Sequence, residues 1–117
     1  MDVDHLVEEL EEMGKSNIRE LRSLLVVLIA HLLKWQFQPD MRSRSWRGSI
    51  TEQRVRLKRL LNDAPSLGAK IPDSIPDAYA DALIIAVEET GLAESLFPEV
   101  CAYSIAQLLD RNYYPEG

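Results

Sequence analysis

Residue types that could do chemistry concentrate in two neighbouring runs, His31-Leu-Leu-Lys-Trp-Gln-Phe-Gln-Pro39 and Arg42-Ser-Arg-Ser-Trp46. In the first, an imidazole precedes an ammonium group by three residues, so a helix would place both on one face. Such a pair could transfer protons near neutral pH. In the second, arginines alternate with serines before a tryptophan, a pattern that could hold phosphate groups. Proton transfer and phosphate binding are therefore the first two chemistries to test against the rest of the chain.

Nucleophilic catalysis finds little support in the sequence. A nucleophile needs a base within hydrogen-bond reach and a third group to orient that base. The chain has two histidines, His5 and His31, and one cysteine, Cys101, and no local pattern pairs a histidine with a serine or with the thiol. The five glycines are scattered, so no phosphate-binding loop is predicted. We interpret Cys101 as a small buried hydrophobe and His31 as a boundary residue packed on Trp35. The sequence thus favours a protein that is not an enzyme.

Metal binding is the next possibility, because His5, Glu8, Glu9 and Glu12 would share one helix face. A dinuclear carboxylate centre, however, needs Glu-x-x-His pairs from two helices, and the chain contains none. We interpret this face as solvated and acidic, and we predict no metal and no cofactor.

Charge is distributed unevenly along the chain. The formal net charge is −6, yet residues 42–59 contain seven bases and one acid, a net charge of +6. Three readings stay open for this basic segment. It could be a solvated helix surface, it could form ion pairs with acidic helices of this chain or of another subunit, or it could bind nucleic acid. Ion pairing is favoured, because the rest of the chain is rich in acids.

Two groups of residues follow from this. The residues predicted to contact a partner are Phe37, Arg42, Arg44 and Arg47. The residues predicted to be structural are His31, Lys34, Trp35, Pro39 and Trp46, because helical periodicity turns both tryptophans toward the core and the proline makes a corner.

The spacing of apolar residues predicts the elements that position these side chains. Leu6, Leu10 and Met13 form one helical stripe, capped by Asp2 or Asp4, and a second stripe runs from Leu21 to Trp35 in a different phase. We predict a break or kink at residues 14–17, with one bent helix as the alternative. The second stripe continues as a long helix to about Gln38, where Pro39 ends it.

The remaining helices follow from capping and breaking signals. A third helix is predicted from about Ser45 to Asn62, with Trp46, Ile50 and Leu57 on its apolar side and Arg54 among the polar residues. Prolines 72 and 76 exclude a regular helix across them, so the fourth is predicted over residues 76–90, with Gly91 as its C-cap. A capping box formed by Ser104 and Gln107 begins a short last helix. The prediction is an all-α protein, one domain over residues 1–117 with about four to five helices.

The chain resembles the domain-of-unknown-function 29 family, which is common in cyanobacteria. The resemblance covers nearly the whole chain, and its most specific parts are the Lys-Trp-Gln-Phe-Gln-Pro run and the Arg-Ser-Arg-Ser-Trp run quoted above. Further matching segments are Leu6-Val-Glu-Glu-Leu, Glu88-Glu-Thr-Gly and Phe97-Pro-Glu-Val-Cys. The resemblance implies helical architecture and assigns no activity or site. Relatives carry a further N-terminal segment with aromatic residues, so we expect an apolar patch where that segment would pack.

These observations lead to one functional expectation with an alternative. We expect a non-enzymatic helical module that acts through a protein partner or self-association; the alternative is a small nucleic-acid-binding protein using residues 42–59. No apolar run approaches the roughly 20 residues that span a bilayer. One cysteine gives no sign of an oxidising compartment, and the acidic N-terminus lacks the basic start of a signal peptide. We therefore expect a cytoplasmic protein that does not enter the membrane.

Overall fold

Four α-helices and three short 3-10 turns account for most of residues 3–116. The computed structural model describes the backbone of residues 3–116 and the side chains of residues 14–116. The helices are α1 (Val3–Phe37), α2 (Arg44–Asp63), α3 (Ile71–Thr90) and α4 (Ile105–Leu109). The 3-10 turns span Pro39–Met41, Pro65–Lys70 and Glu94–Leu96. The predicted all-α bundle is confirmed, and residues 3–116 contain no strand.

The core forms where α2 and α3 pack against the second half of α1. Its apolar stripe on α1 follows the predicted steps of four and three, and Leu21, Leu25, Leu28 and Leu32 are all 0% exposed. Burying one such side chain stabilises a fold by about 1.5–3 kcal/mol, so these four leucines together contribute on the order of 10 kcal/mol. No helix in the described part of the chain has the length and apolar character required to cross a bilayer.

The predicted break at residues 14–17 is wrong, because α1 is continuous from Val3 to Phe37. Gly14 costs a helix only about 1 kcal/mol relative to alanine, too little to end it. The two stripes can differ in phase within one helix because no side chain of residues 14–20 is buried. Asp2, one of the predicted caps, lies outside the described residues, and Asp4 falls within the helix.

The corner between α1 and α2 is confirmed at Pro39, which starts a 3-10 turn directly after α1. The side chain of Ser43 then caps α2 by accepting a hydrogen bond from the Trp46 backbone N–H at 3.1 Å. Both ends of α2, at Arg44 and Asp63, lie within one residue of the predicted bounds.

The start of α3 differs from the prediction. The helix begins at Ile71, so Pro72 lies in its first turn and Pro76 lies inside it. Pro72 loses nothing there, because first-turn N–H groups have no helical partner. Pro76 removes one hydrogen bond to the Pro72 carbonyl, but burial of Ile71, which is 2% exposed, favours the helix in compensation. At the other end, Gly91 forms the predicted C-cap with φ of 71°.

The predicted capping box of α4 is confirmed. The Ser104 hydroxyl accepts from the Gln107 backbone N–H at 3.1 Å, and the Gln107 side chain accepts from the Ser104 N–H at 3.0 Å. This places α4 against α2, with Leu108 fully buried.

Candidate functional site

The last turns of α1 connect distant parts of the chain, beginning with Lys34. This side chain is only 7% exposed, and its ammonium group lies 2.5 Å from the carboxylate of Glu89 on α3. It also lies 5.0 Å from the ring centroid of Trp46 on α2, a cation–π contact. Lys34 therefore joins all three long helices at one point.

Two aromatic side chains beside Lys34 pack against the C-terminal third of the chain. Trp35 and Tyr114 have ring centroids 4.9 Å apart, and Phe37 and Phe97 have theirs 5.0 Å apart. Trp35 and Phe37 are both half-buried. The half-buried positions of Trp35 and Trp46 agree with the prediction. Phe37 contacts the core of its own chain, so that its contact with a partner stays a prediction.

The two glutamines of the same turn make hydrogen bonds to other segments. The Tyr103 hydroxyl donates to Gln36 Oε1 at 2.7 Å, and the Gln38 amide donates to the Thr90 carbonyl at 3.4 Å. Burial raises the pKa of Tyr103 well above its ordinary value, so the hydroxyl stays a donor. Each of the five successive side chains from Lys34 to Gln38 thus contacts at least one residue distant in the chain.

The basic segment continues this internal pattern. Arg42 donates from Nε to the Trp35 carbonyl at 2.8 Å and from Nη2 to the Pro115 carbonyl at 3.4 Å. Its guanidinium group lies 5.0 Å from the Trp35 ring centroid. Arg47 lies 4.8 Å from the ring centroid of Tyr114. Two of the predicted partner-contacting arginines therefore hold the end of their own chain.

Arg54 makes the most extensive of these contacts, and the prediction of a polar, outward position was wrong. It is 5% exposed and donates to three carbonyl oxygens, those of Leu108 and Gln107 at 3.0 Å and that of Tyr113 at 2.8 Å. Burial lowers the pKa of Arg54, but the ordinary pKa of arginine is so high that the guanidinium stays charged. Ile50, Arg54 and Leu57 follow steps of four and three, so helical phase alone would have placed this arginine inward.

We call Arg42, Arg47 and Arg54, together with residues 107–115, the C-terminal clamp. Its chemistry differs from the predicted ion pairing with acidic helices, because these arginines contact backbone carbonyls and aromatic rings. Arg56 does pair with a carboxylate, Glu52 at 2.8 Å, but within α2 and at the surface. Among these acceptors, Leu108 lies in the last turn of α4, where C=O groups lack helical partners and an arginine can donate to them.

His31 has a structural environment. Its Nδ1 lies 2.8 Å from the Val27 carbonyl, which identifies Nδ1 as the protonated nitrogen of the neutral ring. Burial has the largest effect on the pKa of His31 and lowers it. The hydrogen bond to the Val27 carbonyl raises the pKa by less than burial lowers it, and the nearby Lys34 ammonium lowers it further. His31 therefore lies half-buried with a hydrogen bond to its own helix, and its predicted packing on Trp35 stays a prediction.

Cys101 is half-buried, and burial raises the pKa of its thiol. Its sulfur lies 3.7 Å from the Tyr103 carbonyl, an acceptor that cannot deprotonate it. Among residues 14–116, no group of three or more His, Cys, Asp or Glu side chains is arranged to hold a metal ion. The described residues thus offer an unactivated thiol and no assembled metal centre.

A groove between α2 and α4 combines exposed apolar and cationic side chains. It has a volume of about 560 Å³, and its apolar lining includes Val55, Leu61 and Leu109. Val55 is 42% exposed and Leu109 is 38% exposed. Lys58 and Arg111 line the same groove from the two opposing elements. We call this the α2–α4 groove; sequence reasoning missed it because it depends on how α4 is placed.

Arg54 lies at the base of the groove and fixes its shape. Its three hydrogen bonds hold residues 107–113 against α2, so the position of Leu109 relative to Val55 depends on them. Arg44 is exposed and lines a separate, shallow depression with Arg47 at the start of α2. Of the four residues predicted to contact a partner, the three arginines are exposed and Phe37 is half-buried against Phe97, and their contact with a partner stays a prediction.

Comparison with known proteins places the chain in a family. The family described as "Domain of unknown function DUF29" matches residues 1–114. The chain belongs to this family. No curated protein and no solved structure matches the chain. Membership in DUF29 confirms the resemblance stated from the sequence, and the geometry gives the matching runs at residues 31–46 a physical role: they hold three helices and the C-terminal segment together.

Proposed function

We propose that this DUF29 protein is a non-enzymatic helical interaction module whose α2–α4 groove binds an acidic segment of a protein carrying apolar side chains. The observation that carries the proposal is the groove itself. There, exposed Val55 and Leu109 share the lining with Lys58 and Arg111, in a chain of net charge −6.

The charge of the groove supports an acidic occupant. Lys58 and Arg59 are exposed on the C-terminal half of α2, and Arg111 faces the groove from the segment after α4. Cations on two sides of an apolar lining favour a ligand with carboxylates flanking apolar residues. The charges would mainly guide approach and orientation, and burial of the apolar side chains would supply most of the affinity.

The rigidity of the groove also supports a binding role. A pocket that is already formed loses less entropy on binding than one that must be ordered by its ligand. The C-terminal clamp provides this order, because Arg54 fixes α4 from below and Arg42 and Arg47 hold residues 114–115. The arginines of the C-terminal clamp therefore also help to fix the shape of the proposed binding groove.

The exposed apolar surface around Ile84 lacks the same charge pattern. Ile84 is 67% exposed on α3 and lies near Val26 and Val27 of α1, but Asp81 lines that depression. An acidic ligand would be repelled there. Ile84 therefore serves as the matched control position for experiments on the groove.

Density-gradient sedimentation of a C-terminally tagged chain in extracts of its own host tests the proposal. We expect the wild-type chain to sediment faster than the purified 13.3 kDa monomer. The double variant Val55→Asp/Leu109→Asp should sediment as the monomer, whereas Ile84→Asp should behave as wild type. A wild-type chain that sediments as a monomer in the extract would overturn the proposal, as would equal effects of the two sets of substitutions. Far-UV circular dichroism of the purified variants checks that each one is folded.

Nucleic-acid binding through residues 42–59 stays the alternative prediction. Arg44, Lys58 and Arg59 are exposed and available to phosphate, while Arg54 is not. If this alternative holds, the chain should bind labelled RNA or DNA at low salt, and Arg44→Ala should reduce the salt dependence of binding. No binding at low salt would end it.

A further inference from the structure

The first part of α1 extends away from the packed bundle. A helix of 35 residues is about 52 Å long, whereas α2 and α3, with 20 residues each, are about 30 Å long. The long dimension of the molecule is 60 Å against 26 and 21 Å across it, so α1 accounts for the elongation. In the described side chains of α1, the first fully buried residue is Leu21. The backbone of Val3–Gly14 therefore continues beyond the core as a helix with no neighbouring helix of comparable reach.

The amino-acid sequence of this extension has a distinct composition. Residues 3–14 contain five acids, namely Asp4, Glu8, Glu9, Glu11 and Glu12, and neither lysine nor arginine. Leu6, Leu10 and Met13 follow steps of four and three, the spacing of one helix face. An apolar stripe of this kind is typical of a helix that buries one face against a partner.

We propose that the N-terminal segment, residues 3–14, of one copy lies in the α2–α4 groove of a second copy. This inference rests on the proposed function, because it names the occupant of the same groove. The five acids of the segment match the cations Lys58 and Arg111, and its apolar face matches Val55, Leu61 and Leu109. Each copy has one segment and one groove, so a two-fold axis would make both contacts at once and close the assembly as a dimer.

Lengths are compatible with this arrangement. The groove runs along α2 from Val55 to Asn62, which is about 11 Å of helix. The face from Leu6 to Met13 covers the same number of residues. The segment does not reach the groove of its own copy, because α1 is one continuous helix and does not turn back. Direct pairing of two N-terminal segments is opposed by repulsion between five acids on each.

Sedimentation velocity on purified full-length chain provides the test. We expect a concentration-dependent monomer–dimer equilibrium that shifts toward monomer as salt screens the exposed charges. A reversed groove, Lys58→Glu/Arg111→Glu, and a reversed segment, Glu8→Lys/Glu12→Lys, should each weaken dimerisation by about tenfold or more. Arg44→Glu/Lys70→Glu changes the net charge as the reversed groove does, at exposed cations away from the groove, and should dimerise like wild type.

Mixing the two reversed variants gives the decisive result. In a one-to-one mixture, the acidic segment of one variant meets the basic groove of the other, and the basic segment meets the acidic groove. We therefore expect the mixture to dimerise as well as wild type to within a few fold, although neither variant does so alone. A mixture that stays monomeric, or reversed variants that dimerise normally, would overturn the inference. A wild-type monomer whose assembly in host extract still depends on Val55 and Leu109 would also overturn it, while leaving the proposed function standing.

Discussion

Replacing Arg54 by methionine should destabilise the protein more than the same replacement of any other arginine or lysine in the basic segment. The change removes a buried charge and three hydrogen bonds while keeping an apolar side chain of similar length. The carbonyls of Gln107, Leu108 and Tyr113 would then lose the donors that lie 2.8–3.0 Å away. Only methionine's sulfur, which cannot donate, would be near them.

The magnitude follows from opposing contributions. Hydrogen bonds to a charged group contribute about 1.5–3 kcal/mol each, so three amount to roughly 4.5–9 kcal/mol. Removing the charge recovers its desolvation penalty, which is several kcal/mol. The expected net loss in the free energy of unfolding is therefore about 2–4 kcal/mol. Arg54→Lys should fall between wild type and methionine, because a lysine retains the charge but lacks the planar fork.

Urea unfolding followed by circular dichroism measures this loss, with Arg56→Met as the matched control. Arg56 has a side chain 58% exposed and one i,i+4 pair with Glu52, so its loss should cost no more than about 0.5 kcal/mol. Amide hydrogen exchange should also show faster exchange at Leu108–Asp110 in Arg54→Met than in the control. Equal effects of the two substitutions on stability would refute the assignment of Arg54 as the residue that holds α4 in place.

Three further substitutions test the environment of α1. Glu89→Ala should lower the free energy of unfolding by about 2 kcal/mol, because it leaves the buried Lys34 ammonium without its carboxylate. Lys34→Met should lower it by less than about 1 kcal/mol, because the Glu89 carboxylate that it leaves is 52% exposed. Urea unfolding of both variants checks this order, and the reverse order would contradict it. His31 has a lowered pKa in the folded state, so the unfolded chain binds the proton more readily than the folded chain. As the pH falls below the ordinary value of about 6.5, the free energy of unfolding therefore decreases. His31→Gln should therefore lose less stability than wild type between about pH 7.5 and pH 5 in the same assay, and parallel curves would show that His31 does not contribute.

Helical periodicity and local capping signals predicted much of the fold. The stripe from Leu21 to Leu32, the corner at Pro39, the Gly91 cap and the Ser104 capping box are local features, and each was found where the sequence placed it. These features depend on residues within one or two helical turns of each other. For that reason one sequence is sufficient to predict them.

Two predictions were wrong because they gave a helix-breaking residue more weight than packing. Gly14 was expected to interrupt α1, and Pro76 was expected to begin α3. In each case the breaker costs about 1–3 kcal/mol. A continuing helix or the burial of a residue such as Ile71 is able to offset that cost. The free-energy cost of a helix breaker follows from its residue type, whereas the offsetting gain from burial depends on tertiary contacts.

The candidate site was the least predictable part. The basic composition of residues 42–59 suggested an outward surface, but Arg54 follows the buried stripe between Ile50 and Leu57. The carbonyl acceptors of Arg54 are more than 50 residues away in the chain, at Gln107 and Leu108. The α2–α4 groove depends on the same long-range contacts, so no local pattern marks it.

Site-specific photo-crosslinking in the host cell tests the central claim, that the α2–α4 groove is the binding surface, most directly. A photo-reactive amino acid placed at Val55 should give a discrete adduct with another polypeptide, and the same group at Ile84 or Arg44 should not. Mass spectrometry of the Val55 adduct then identifies the attached segment, which the dimer inference expects to be residues 3–14 of a second copy. Adducts at Ile84 or Arg44 with none at Val55 would contradict the account.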